Sequence, residues 1–157
     1  MLRQTYHQAN YIIIGPEKFM DESEDLLSLR SPSIYASLEQ IYLEFSGGNI
    51  DPLAIRNFIQ WTQEMWRDPQ PSCILFLGES GYDYRNITGQ STIIVPTIQV
   101  QSSRTYATDD RLATIYGNIP EVATGRFPAR NEQEVIDFVD KIVSIENETE
   151  FGPWRQK

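Results

Sequence analysis

The sequence predicts an α/β fold: a mostly parallel, doubly wound sheet with helices on both faces and the strand order 2-1-3-4. Three observations predict it. Cys73-Ile74-Leu75-Phe76-Leu77 is apolar at successive positions, as a strand covered on both faces requires. Such runs alternate along the chain with segments of helical apolar period, the pattern of strand–helix–strand units. The chain has 157 residues, 40% hydrophobic and 22% charged, which suffices for one core without disulfides or a structural metal. Residues 1–157 read as a single α/β domain with a core at about 10–147, without internal repeat or linker.

Asn10–Ile14 is the first strand, closed by Gly15-Pro16. Phe19–Leu29 reads as an amphipathic helix carrying Phe19, Met20, Leu26, Leu27 and Leu29. It stops ahead of Ser31-Pro32, because proline disfavours helical backbone in the residue before it. Ile34–Ser37 is a short second strand. Leu38–Phe45 is a helix with Leu38, Ile41, Tyr42 and Phe45 on one face, broken by Ser46-Gly47-Gly48-Asn49. Asp51-Pro52 opens the clearest helix. The aspartate can accept from free first-turn N–H groups, and proline suits the first helical position. Ile55, Phe58, Ile59, Thr62, Met65 and Trp66 keep the helical period up to Asp68-Pro69. Ser72–Leu77 is the central strand and runs into Gly78-Glu79-Ser80-Gly81, expected as an exposed loop. Pro96 confines any strand in Ile93–Gln101 to an edge. Ser102–Asn118 is a polar stretch and Glu121–Gly125 a further strand. Asn131 caps a last helix to about Glu146, with a broad apolar face from Val135 to Ile145. The tail Glu148–Lys157 reads as irregular.

Charge excludes several functions. Thirteen Lys and Arg against 22 Asp and Glu give a net charge of −9, which repels phosphate backbones and anionic membranes. No nucleic-acid partner is expected. No apolar run approaches the roughly 18–20 residues that span a bilayer. The N-terminus has no apolar h-region, so no signal peptide is expected on this chain. One cysteine, Cys73, excludes an internal disulfide and a cysteine-rich zinc site, and one histidine, His7, must serve any imidazole chemistry.

The motifs that could carry chemistry are few. Gly78-Glu79-Ser80-Gly81-Tyr82 approaches the G-x-S-x-G nucleophile elbow, but Tyr82 replaces the last glycine and His7 precedes the serine instead of following it. Cys73 lies inside a strand and reads as a buried small apolar residue. His7 reads as a solvated side chain. Asp109 and Asp110, with Asp83 and Glu79, could offer hard oxygen ligands to calcium or magnesium; the alternative is solvated loop acids. Asn86-Ile87-Thr88 and Asn147-Glu148-Thr149 are glycosylation sequons that matter only in a secreted eukaryotic protein. Neither G-x-G-x-x-G after a strand nor a P-loop is present, so no nucleotide cofactor is expected. A receiver domain needs paired acids after the first strand, where this chain has Gly15-Pro16-Glu17.

Several segments, in their order, carry a resemblance. They are Ile41–Gly48, Asp51–Phe58, Ile74–Gly78 leading to Tyr82-Asp83-Tyr84-Arg85, Val95-Pro96-Thr97, Ser102–Asp110 and Pro120–Asn131. Together they resemble the amino-terminal half of the catalytic domain of gingipain-like cysteine peptidases, family C25. The sortase-like members of bacterial type IX secretion are the most similar branch. The resemblance implies a caspase-like sheet of the flavodoxin-like, doubly wound kind in two subdomains, with the catalytic His and Cys in the second. It assigns no catalytic residue here, because no position matches the family's histidine motif and Cys73 matches a structural strand position. Two departures stand out: Phe19–Leu29 is short for the family, and Glu79 stands where aspartate is more usual.

The implied function is that of a non-catalytic amino-terminal subdomain, supporting the sheet of the catalytic half and lining part of the substrate cleft. Its partners would be the second subdomain of a parent chain and a protein or peptide substrate. Its place would be extracellular or at the cell surface, and Phe151 and Trp154 would be remnants of the junction. The alternative is a stand-alone binding or protein-interaction module, with its ligand in the crevice near Gly15 and Gly78–Gly81.

Overall fold

The structure, a computed structural model, describes residues 1–101 and 105–147. Four parallel strands make the central sheet: β1 (Tyr11–Gly15), β2 (Ser33–Ser37), β3 (Cys73–Leu77) and, last in the chain, β6 (Ala123–Phe127). Their order is β2-β1-β3-β6, so the expected 2-1-3 arrangement is completed by a fourth parallel strand at the β3 edge. That fourth place does not go to the Pro96 segment. There, β4 (Ile98–Gln101) and β5 (Thr105–Thr108) form a separate antiparallel pair.

Side chains alternate across the two faces. Ile12, Ile14, Ile74 and Phe76 join one core cluster, and Ile13, Leu75 and Leu77 the other. Helices α2 (Leu38–Ser46), α3 (Pro52–Met65) and α4 (Asp110–Ala113) cover the first face. Helices α1 (Glu24–Leu29) and α5 (Glu132–Asn147) cover the second.

Local chemistry explains most boundaries. Ser37 caps α2 by accepting from the Gln40 N–H, and Gly47 ends it at φ 63°, where Gly48 N–H returns to the Tyr42 carbonyl at 2.8 Å. Asp51 caps α3 by accepting from Leu53 N–H at 2.8 Å. Asn131 caps α5 reciprocally: its carbonyl oxygen accepts from Glu134 N–H at 3.0 Å, and its amide donates to the Glu134 carboxylate at 3.2 Å. Ile55, Phe58 and Ile59 are fully buried, as their period requires, whereas Met65 is exposed and the core position passes to Trp66 beyond the helix end. On α5 only Val135 and Val139 are buried; Ile136 is exposed, so the apolar face is broader than its cover among the described residues.

Two expectations are corrected, and a third segment gains definition. Phe19–Leu29 is not one helix. Two 3-10 turns, Glu17–Phe19 and Asp21–Ser23, precede the short α1. The Ser23 hydroxyl donates to the Phe19 carbonyl at 2.7 Å, and such local competition tightens the turn while Phe19 stays fully buried. The polar stretch Ser102–Asn118 contains β5 and α4, because Leu112 and Ala113 are drawn into the core. Gly78 is buried rather than part of an exposed loop. Phe151 and Trp154 lie outside the described residues. No helix among them is long and apolar enough to cross a membrane.

Candidate functional site

Open parallel sheets hold ligands at the carboxyl ends of their strands, where the winding reverses. Here that point lies between β1 and β3, at Gly15 and Gly78. The crevice is filled from within. The Tyr35 hydroxyl reaches over Gly15 and donates to the Pro16 carbonyl at 2.8 Å. A Cβ on Gly15 would stand 2.5 Å from that hydroxyl and 3.0 Å from the Leu77 carbonyl oxygen. Burial, with Glu39 and Glu22 nearby, raises the Tyr35 phenol well above its ordinary range, so it stays a donor. Over β3, Ile94 and Val95 N–H both donate to the Glu79 carbonyl, at 2.9 and 3.0 Å. Gly78 has φ +146°, and a Cβ there would meet methyls of Ile94 and Val95 at 2.8 Å.

Arg126 organises this end of the sheet. It leaves β6 with its side chain 12% exposed and holds Asp109 through two bonds, Nε to Oδ2 at 2.8 Å and Nη2 to Oδ1 at 2.7 Å. Its Nη1 donates to the carbonyls of Gly78 at 2.6 Å and Val95 at 3.1 Å, and its guanidinium lies 5.2 Å from the Phe76 ring centre. One cation thus ties β6 to the end of β3, the returning loop and the start of α4. Sequence reasoning gave Arg126 no role, because the strand expected over Glu121–Gly125 stops one residue short of it; a charged residue inside a strand is rarely buried unless paired.

The acids singled out from the sequence do not converge. Asp109 faces Arg126, and Asp110 accepts from the Thr124 hydroxyl at 3.5 Å. Glu79 pairs with Arg130 at 2.9 Å, which holds its carboxyl below the usual range. Asp83 accepts from the Thr88 hydroxyl and from the N–H groups of Thr88 and Ile87, and these likewise lower it. Among the described residues no group of three or more His, Cys, Asp or Glu stands close enough to hold a metal ion. With Asp109 committed to Arg126, millimolar calcium is expected to leave the melting temperature unchanged. A rise that Asp109→Asn abolishes would assign the cation to this pair.

Cys73 and His7 sit at the opposite end of the sheet. Cys73 opens β3, pairs with Tyr11 and Ala123 in register, and is partly exposed rather than buried. The His7 ring packs at 5.0 Å on Trp66, and its Nε2 lies 2.9 Å from the Met1 carbonyl oxygen. It is therefore half-buried, one face packed on Trp66, rather than fully solvated. Ser80, three residues beyond the end of β3, lies at the carboxyl end of the sheet, away from His7.

Beside the filled crevice, the loop after β3 and the start of α3 enclose an open cleft of about 570 Å³ lined by Leu53, Tyr82, Tyr84, Arg85 and Gln99, with Asp51 on its rim. Tyr82 is held at both ends: its hydroxyl donates to the Thr105 carbonyl at 3.2 Å, and its carbonyl accepts from the Gln99 amide at 2.6 Å.

Residues 4–157 match the family model of peptidase family C25. The chain belongs to peptidase family C25. Among solved structures this C25 chain is similar to PorU from Porphyromonas gingivalis, crystallised as a dimeric latent form, with a TM-score of 0.80 and 26% identity. The match covers 94% of this chain and 16% of the PorU chain, so the C25 chain spans a small part of that protein's length. No curated protein matches it significantly.

Proposed function

We propose that this C25 chain is the non-catalytic amino-terminal subdomain of a gingipain-like cysteine endopeptidase that works outside the cell or at its surface. Its role is to support the sheet of a second subdomain, which supplies the catalytic pair, and to line part of a cleft for protein substrates. One observation carries the reading. The only cysteine and the only histidine of the chain lie at the amino ends of the strands, the histidine packed on Trp66. A cysteine nucleophile needs a thiolate beside an imidazole that takes its proton, at the end of the sheet where substrate can lie. Arg126 and Tyr35 serve the same reading by making the carboxyl end rigid.

The test compares two proteins. The purified 157-residue chain is expected to cleave no protein substrate and to resist an active-site-directed thiol reagent at neutral pH, with Cys73→Ala changing neither result. The parent reading frame, carried through a segment with a His and a Cys at strand ends, is expected to cleave. Cleavage by the short chain that disappears in Cys73→Ala would overturn the proposal.

A further inference from the structure

The cleft between α3 and the loop after β3 has a use that the subdomain reading leaves open. It lies at the carboxyl end of the sheet, because a helix that leads into a parallel strand starts at that end. A second cavity of about 460 Å³, lined by Ile50 among others, adjoins it and shares Asp51 and Arg85, so the two form one groove with Arg85 between them. Large apolar side chains are exposed along it: Ile50 at 55%, Leu53 at 52% and Tyr82 at 58%. Exposed apolar groups gathered on one surface mark contact sites more often than the same groups scattered singly.

The charges in the groove are not equivalent. Asp51 spends a carboxylate oxygen on Leu53 N–H and sits at the positive end of the α3 dipole. Asp83, in the same loop as Arg85, has both oxygens taken by Ile87 and Thr88. Arg85 differs. It stacks on the Tyr84 ring, 5.5 Å from the guanidinium carbon, and among the described residues no carboxylate or carbonyl accepts from it. A guanidinium offers five donors in a fork that fits a carboxylate. The unmet donors of the groove are therefore those of Arg85, beside one Asp51 oxygen that is also open, in a chain whose net charge is −9. That net charge opposes an acidic ligand only weakly at contact, because salt screens exposed charges beyond about 8 Å.

We infer that this groove binds an extended peptide, with an acidic side chain on Arg85 and a neighbouring apolar side chain against Tyr82 and Leu53. Taking a peptide as the ligand rests on the peptidase-subdomain reading. The Asp83 turn and the two bonds on Tyr82 pre-shape the loop, so little ordering opposes binding. A single solvent-facing pair with modest apolar contact gives weak binding, in the millimolar range.

The probes are three blocked pentapeptides with a central glutamate, glutamine or lysine between leucines, titrated into the isotope-labelled 157-residue chain at about 0.15 M salt and followed by amide chemical shifts. The glutamate peptide is expected to shift Leu53 and Tyr82–Arg85 and to bind about fivefold more tightly than the glutamine peptide. Arg85→Gln should erase that preference while leaving the rest of the spectrum intact, and Arg85→Lys should restore part of it. Equal affinities in the native chain, a preference for lysine, or no shifts in the groove at about 10 mM peptide would overturn the inference. A parent protein that cleaves proteins while this chain ignores all three peptides would sink the groove and leave the subdomain reading standing. Glutamate-selective binding in a chain whose parent has no peptidase activity would do the reverse.

Discussion

Replacing Phe58 with alanine is expected to destabilise the chain by about 3–5 kcal/mol, the usual cost of emptying a buried aromatic site. Phe58 is fully buried in the middle of α3. Its ring meets Phe45 at 5.7 Å and Trp66 at 5.9 Å, both edge-on, the arrangement aromatic quadrupoles favour. Trp66 is anchored by its indole N–H to the Leu2 carbonyl at 3.1 Å, so it is poorly placed to move into the void. The site collapses little, and the penalty should fall toward the upper part of that range. Chemical denaturation of the two proteins measures it. A loss below about 1 kcal/mol would mean that α3 is peripheral to the core.

The second large effect concerns Arg126. Arg126→Leu is expected to cost about 3 kcal/mol, the low end for orphaning a buried charge, because the Asp109 side chain keeps 23% of its exposure. The change strands the Asp109 carboxylate and removes a donor from the Gly78 and Val95 carbonyls together. Asp109→Asn should cost less, since Arg126 keeps both carbonyls and one acceptor on the amide. The double variant should lose less than the sum of the singles, as a shared network requires. Strictly additive losses in urea melts would show that the pair makes no mutual contribution.

The elements that the sequence reveals are those whose causes are local. Asp51-Pro52 starts α3, Gly47 ends α2 and Asn131 starts α5 because each acts on N–H or C=O groups a few residues away. The unbroken apolar run of β3 announces a strand covered on both faces, and the fold class follows from its alternation with helices. The Phe19–Leu29 reading fails for an equally physical reason. Apolar periodicity does not register a serine hydroxyl that bonds the carbonyl four residues back.

The carboxyl end of the sheet is different. Arg126 meets Asp109, Val95 and Gly78 across 17, 31 and 48 residues of chain, and Tyr35 reaches Pro16 across 19. No spacing rule links residues so far apart, because which strand ends become neighbours depends on the winding of the whole sheet. The α/β class, the capped helices, the central strand and the scarcity of cysteine and histidine are legible in the residues alone. That Asp109 faces a guanidinium, that the switch-point crevice is closed by Tyr35 and Ile94, and that Arg85 faces an open groove follows from the packed fold. Those outcomes depend on competition among long-range partners for a few hydrogen bonds, and which partners come within reach is set by the packed arrangement of the whole sheet.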